Sequence, residues 1–263
     1  MNVLSTSCVP GNSSTIAIEN VSNPCATLSV GLTALPAGPR NIELWTIDLL
    51  AYPFQNHEMW LSRDETARAA RFIFEDDRRR YRAAHCALRE ILAQRLARHA
   101  TSVVFHAGRH GKPSIAQAEN TLESCRFNLS HSGDVALLGI VDYVEIGVDI
   151  EKLREFDDIW QLAEQNFTSR EYWELSDTPA HERSRAFLRG WTRKEACLKA
   201  LGCGLMVPPR SFHVGLSKQS ALAELRTEEE SVQVQVENID VGIGYVAATA
   251  WVTTYSKLAH CTK

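Results

Sequence analysis

The chain has 263 residues, 44% hydrophobic and 23% charged, enough to bury one large core or two small ones. A net charge of -4 gives no support to a general nucleic-acid or anionic-membrane binder, so neither partner is expected. Seven cysteines, an odd number with no CxxC pair, argue against a disulfide framework or a structural zinc site and predict a reducing, cytoplasmic setting.

Residues 1–38 are rich in Ser, Thr, Asn, Gly and Pro and show no sustained periodicity, so they read as a loose leader. The first basic residue is Arg40, which leaves this stretch without the charged start of a secretory signal. No apolar run is long enough to cross a bilayer. Apolar and polar residues alternate from Ile42 to Asp48 and predict a strand. A short polar helix is expected from Arg63 to Ala70. Ala84, Ala87, Leu88, Ile91, Leu92 and Leu96 recur at helical spacing and predict an amphipathic helix of roughly 20 residues lying on a sheet. Strands follow at 103–105, 127–129, 135–141 and 146–150, each bounded by turn-forming residues. The pattern then starts over, with helices at 160–166, 169–175 and 182–201 and strands at 212–216, 221–225, 232–236 and 245–252. The expected fold class is α+β: two pseudo-duplicated halves, each a long helix packed on an antiparallel sheet. Their expected boundaries are 39–145 and 146–255, with a tail at 256–263. A pseudo-dimer within one chain predicts a monomer.

Asp149 and Glu151 in Gly147-Val148-Asp149-Ile150-Glu151 are two apart on a strand, so both carboxylates leave the same face. Carboxylates are the hard ligands magnesium prefers, although paired acids also occur as solvated strand ends. Trp191, Glu195 and Lys199 are spaced by four and share a helix face. An exposed Glu195–Lys199 ion pair would be a bland reading, but a large aromatic on that face points to a cleft. Phe127 to Gly133 runs from a strand into a polar turn whose hydroxyls, imidazole and amides suit a phosphate. A Ser-His hydrolase is disfavoured there, because adjacent strand residues point to opposite faces and no GxSxG elbow is present. Gly108 to Pro113 is a basic, glycine-flanked loop that sets Lys112 beside an anion or simply forms a turn.

A GKP loop, an NLSHSG strand, a GVDIE strand, an FTSRE segment and a WTRKEACLKALG helix follow one another in that order. Over residues 42–252 the chain resembles the Sfp-type 4′-phosphopantetheinyl transferases, the two-domain class. The resemblance implies transfer of the 4′-phosphopantetheine arm of coenzyme A to a serine of an acyl or peptidyl carrier protein, with Mg²⁺ required and 3′,5′-ADP released. It implies Asp149, Glu151 and Glu195 as magnesium ligands and Lys199 beside the pyrophosphate. It assigns Ser130, His131, Lys112 and Arg68 to coenzyme binding, with His131 and Arg68 near the 3′-phosphate. Glu65 stands where some members carry a lysine. Phe167 and Glu171 fit an element of mainly structural role.

The reaction so implied is phosphoryl transfer, which depends on positioning and charge neutralisation. Glu195, or a water held beside Glu151, would take the serine proton, and Lys199 would offset charge on the leaving oxygens. Arg78, Arg79, Arg80 and Arg82 are candidates for steering an acidic carrier, or else a solvated helix face. Two rivals are a non-catalytic coenzyme-binding paralogue and another magnesium phosphotransferase. Retention of all three acids speaks against the first. Absence of a GxxxxGK[ST] loop speaks against an ordinary NTPase.

Overall fold

A computed structural model of the chain describes residues 28–108, 111–115, 125–202, 206–227 and 230–257. The described chain opens on strands β1 (Leu32–Ala34) and β2 (Glu43–Asp48) and, after helices α1 (Arg63–Ala69) and α2 (Glu75–Arg95), the short pair β3 (Phe105–Ala107) and β4 (Pro113–Ile115). The hairpin β5 (Cys125–Ser132) and β6 (Val135–Asp142) follows, then β7 (Ile146–Lys152), α3 (Ile159–Asn166), α4 (Ser169–Ser176), α5 (Arg183–Leu201), β8 (Ala221–Arg226), β9 (Glu230–Ile239) and β10 (Tyr245–Lys257). Two antiparallel four-stranded sheets result, in the orders β1-β2-β6-β5 and β7-β10-β9-β8. The fold is thus α+β. Among the described residues no helix is long and apolar enough to cross a membrane.

Helix α2 opens on Glu75, Asp76 and Asp77, whose charges suit the positive end of a helix dipole. Its Ala84, Ala87, Leu88, Ile91 and Leu92 are buried against Ile47, Phe127, Leu138 and Ile140 of the first sheet. On the opposite face of that sheet, Leu44, Leu137 and Val141 pack against Ile146, Val148, Ile150 and Trp251 of the second. Beyond it, Ala196, Cys197 and Ala200 of α5 close over Val232, Val234, Ala248 and Ala250. Helix, sheet, sheet and helix therefore stack in layers, with β7 alternating between the inter-sheet core and α5.

Two expectations change. The leader expected over 1–38 does not run through to residue 38: Leu32–Ala34 pairs with β2, and Leu32 and Leu35 pack on the cores. Residues 1–27 of that leader, and 258–263 of the expected tail, lie outside the described residues. The strand expected at 212–216 is irregular. Its backbone is satisfied by buried side chains instead: Glu171 accepts the amides of Val214 (2.8 Å) and Gly215 (3.2 Å), while Arg193 donates to the carbonyls of Val214, Gly215, Ser217 and Gln219. With partners supplied this way, the segment needs no neighbouring strand.

Candidate active site

Gly147 determines how close the site's two carrying elements come. A Cβ built there would lie 2.0 Å from the Ala196 carbonyl oxygen and 2.4 Å from the Ala200 amide nitrogen, so only glycine lets α5 rest directly on β7. Asp149 and Glu151 follow on the same face of β7 and meet Glu195 and Lys199, the half-buried stripe of a helix otherwise buried at 192–194, 196–198 and 200. Gly202, at φ 68° in the left-handed region, ends that helix.

Asp149 is 4% exposed. Its Oδ1 accepts the Ser130 hydroxyl (2.9 Å) and the Lys199 ammonium (2.5 Å), and Lys199 also donates to Ser130 Oγ (3.0 Å). Among the described residues, its Oδ2 is buried without a hydrogen-bond partner. Burial raises the Asp149 carboxyl above its ordinary range, opposed by Lys199 and Ser130 and reinforced by Glu151. The Glu195 carboxyl is raised as well, by burial and then by the charges of Asp149 and Glu151. The charges of Asp149 and Glu151 thus reach Glu195 across the contact between β7 and α5. Among the described residues, no three His, Cys, Asp or Glu side chains are drawn together as a formed metal cluster. The donor set nonetheless fits a hard divalent cation: three carboxylates, of which Asp149 and Glu195 are raised by burial and by neighbouring acids, and one of which has an orphaned oxygen among the described residues.

Strand β5 presents its alternate residues to β7. Asn128 Oδ1 accepts the Val148 amide (2.8 Å), and Ser132 donates to Glu151 Oε2 (2.8 Å) while accepting the Lys152 amide (3.0 Å). Ser130 therefore turns toward Asp149, where sequence reasoning assigned it to the coenzyme. His131 lies on the opposite face with part of its side chain at the surface; the atoms packed around its ring, and then the charges of Lys199, His85 and Arg80, hold its pKa below the usual value.

Next to it, Tyr81 stacks on His85 (4.1 Å between centroids) and the Arg68 guanidinium lies 5.9 Å from the Tyr81 ring. His85 and Arg80 thus lie within electrostatic reach of His131, with Arg68 beyond Tyr81, while His85 is bonded to Glu65 and Arg80 to Asp134 and Asp77. His85 was missed in the sequence, although Tyr81, His85 and Arg89 at four-residue steps carry the signal. Glu65, expected from the resemblance to stand at a lysine position, closes the capping box of α1 with Ser62. It also binds Arg89 (2.7 Å) and His85 (2.9 Å), so a buried tie between α1 and α2 occupies that position.

Lys112 is not brought to the acids. Its ammonium donates to Glu145 Oε2 (2.7 Å) and to the carbonyls of Ile146 (2.9 Å) and Ala200 (3.0 Å), fastening the loop to the start of β7 and the end of α5. There it borders a separate cleft of about 380 Å³ with Pro113, Arg126, Phe127 and Gly202. Arg109 and His110 of the same loop lie outside the described residues. The four arginines considered for steering are already engaged: Arg78 with Glu75, Arg79 and Arg80 with Asp134, and Arg82 with Glu58. Glu171 and Lys194, both fully buried, pair at 2.8 Å; burial would raise the Glu171 carboxyl, but Lys194 and the amides bring it below its ordinary range.

Comparison with known proteins places this α+β chain among the group-transfer enzymes. A family model for the 4′-phosphopantetheinyl transferase superfamily matches residues 145–254, and one for the 4′-phosphopantetheinyl transferase N-terminal region matches 52–140. The chain belongs to the 4′-phosphopantetheinyl transferase superfamily. It is 40% identical over 168 residues to the 4′-phosphopantetheinyl transferase HetI of Nostoc sp., covering 62% of this chain and 70% of that one. It is 33% identical over 182 residues to psf-1 of Bacillus pumilus, covering 69% and 75% of the two chains. With Sfp of Bacillus subtilis, identity is 26% over 184 residues, 70% and 79% of the respective lengths.

Proposed function

We propose that this transferase moves the 4′-phosphopantetheine arm of coenzyme A onto a serine of an acyl or peptidyl carrier protein, with Mg²⁺ required and 3′,5′-ADP released. The observation that carries the reading is the buried, unpartnered Oδ2 of Asp149, set among Glu151, Glu195 and Lys199. An uncompensated carboxylate oxygen in such a place costs stability unless a cation completes it. Asp149, Glu151 and Glu195 are the residues that would hold Mg²⁺. Bound there, the ion supplies charge neutralisation and Lewis acidity to a pyrophosphate.

The protein's own groups account for the rest. Lys199, already within hydrogen-bond range of Asp149 and Ser130, offsets charge on the departing 3′,5′-ADP oxygens. His131 and Arg68, with His85 between them, receive the 3′-phosphate, the kind of anion such basic groups attract. Glu195 accepts the proton of the attacking serine; its raised pKa brings it closer to the working pH of a general base. Lys112 serves the coenzyme by fastening the loop that borders its cleft, rather than by reaching the acids.

We read residues 39–145 and 146–255 as duplicated halves. Each contains a strand, a long helix and a hairpin whose second strand returns beside the first, as β2-α2-β5-β6 and β7-α5-β9-β10 do. A single-chain cytoplasmic monomer fits that plan. The test is incubation with Mg²⁺, coenzyme A and a panel of apo carrier proteins, scored by the mass of the attached arm. Asp149→Ala is expected to abolish labelling with the fold retained. Near-normal labelling by that variant would overturn the assignment.

A further inference from the structure

Ser132 has no part in the function derived so far, yet it is wired to the acids in the same way as Ser130. The two serines are two apart on β5, as Asp149 and Glu151 are on β7. Each serine hydroxyl gives its proton to one oxygen of one acid: Ser130 to Asp149 Oδ1 (2.9 Å) and Ser132 to Glu151 Oε2 (2.8 Å). Each also accepts a hydrogen bond, Ser130 from the Lys199 ammonium and Ser132 from the Lys152 amide (3.0 Å). A hydroxyl has a single proton, and a backbone N–H can only donate, so acceptance from Lys152 leaves the Ser132 proton for Glu151. The other oxygen of each acid, Asp149 Oδ2 and Glu151 Oε1, has no hydrogen bond or ion pair among the described residues.

We propose that Ser132 is a positioning residue for the divalent ion: it fixes the Glu151 carboxylate by one oxygen and leaves the other oriented for the cation. This rests on the magnesium-dependent reading above. Outer partners that hold a ligand in place change metal affinity or activity by about 10- to 100-fold when removed. Ser132 reaches the ion only through Glu151, so its removal acts on metal binding and leaves the coenzyme's anion site intact.

The experiment measures Mn²⁺ binding to the full chain in the presence of coenzyme A by electron paramagnetic resonance, beside the Mg²⁺ dependence of carrier labelling. The proteins are wild type, Ser132→Ala and Ser132→Thr. Expected are at least about tenfold weaker Mn²⁺ binding and a matching rise in half-saturating Mg²⁺ for Ser132→Ala. The KM for coenzyme A at saturating Mg²⁺ should stay within about twofold, and Ser132→Thr should restore ion affinity, since it keeps the hydroxyl. Wild-type Mn²⁺ affinity in Ser132→Ala overturns the positioning role and leaves the magnesium reading standing. No Mn²⁺ binding by the wild type overturns both. Equal losses in Ser132→Ala and Ser132→Thr, with a raised KM for coenzyme A, assign Ser132 to folding of the turn and also overturn the proposal.

Discussion

Glu195 shows what the site costs the protein. Its carboxyl is raised by burial and by the charges of Asp149 and Glu151, and Asp149 is raised as well. A carboxyl whose pKa is higher folded than unfolded binds more protons in the folded state between those two values. Stability present below the unfolded value is therefore lost as pH rises through the folded one. At neutral pH without divalent ions, Glu195→Gln removes one of the crowded charges. It is expected to melt at a higher temperature than wild type while losing carrier labelling. The difference in melting temperature should shrink as pH is lowered, and Mg²⁺ should raise the melting temperature of the wild type more than that of the variant. A variant that melts lower than wild type at neutral pH without metal would show that Glu195 is a packing group and no strained ligand. That Asp149 and Glu151 share one face, and Glu195 and Lys199 another, was legible because spacings of two on a strand and four on a helix place side chains by geometry; the roles given to them came from the family resemblance. The placement of Lys112 and Ser130 was not legible, because their partners at Ala200 and Asp149 are distant in sequence and only the fold brings them together.

At the scale of elements, the site depends on one helix lying on one strand at backbone contact. Gly147 allows it; the added methyl of Gly147→Ala meets the Ala196 carbonyl oxygen at 2.0 Å, and since that oxygen is backbone and a Cβ is fixed by its own backbone, no rotamer change relieves the clash. Helix α5 or β7 must shift. Overpacking of this kind costs about 1–3 kcal/mol, and the shift moves Glu195 and Lys199 away from Asp149. Gly147→Ala is expected to fold with a lowered melting temperature and to lose labelling activity out of proportion to the stability lost, read as kcat at a temperature where the variant is fully folded. Retained kcat there would mean that the site tolerates a displaced helix. The GVDIE motif carried this glycine openly, but its sequence gave no reason for it, since the clash is with a helix about 50 residues further on. Helix α2 was legible from its apolar periodicity, and α5, expected over 182–201, was found at Arg183–Leu201. The irregular stretch at 212–216 was not legible, because its apolar alternation imitates a strand while Glu171 and Arg193 take up its backbone groups.

Across the whole molecule, the two sheets meet at a seam that is not a ladder. Both β5 and β7 are edge strands, and β7 leaves unpaired amides on its outer side. Asn128, Ser130 and Ser132 cover that side by side-chain hydrogen bonds, so one sheet reads the register of the other through alternate residues. Edge strands otherwise invite pairing with other chains, and capping by side chains closes this one without fusing the sheets. Asn128 is buried and, unlike Ser130 and Ser132, bonds a β7 amide and no acid. Asn128→Ala leaves the Val148 amide buried without an acceptor, a loss of about 1–3 kcal/mol. If the seam couples the halves, the effect is local before it is global: hydrogen exchange measured by mass spectrometry should quicken at Val148 and its neighbours in β7. Exchange in the α2-backed core of the first sheet should change no more than the overall stability loss requires. Uniform acceleration across both sheets would instead mean that they unfold as one unit and that the seam serves only as part of a common core.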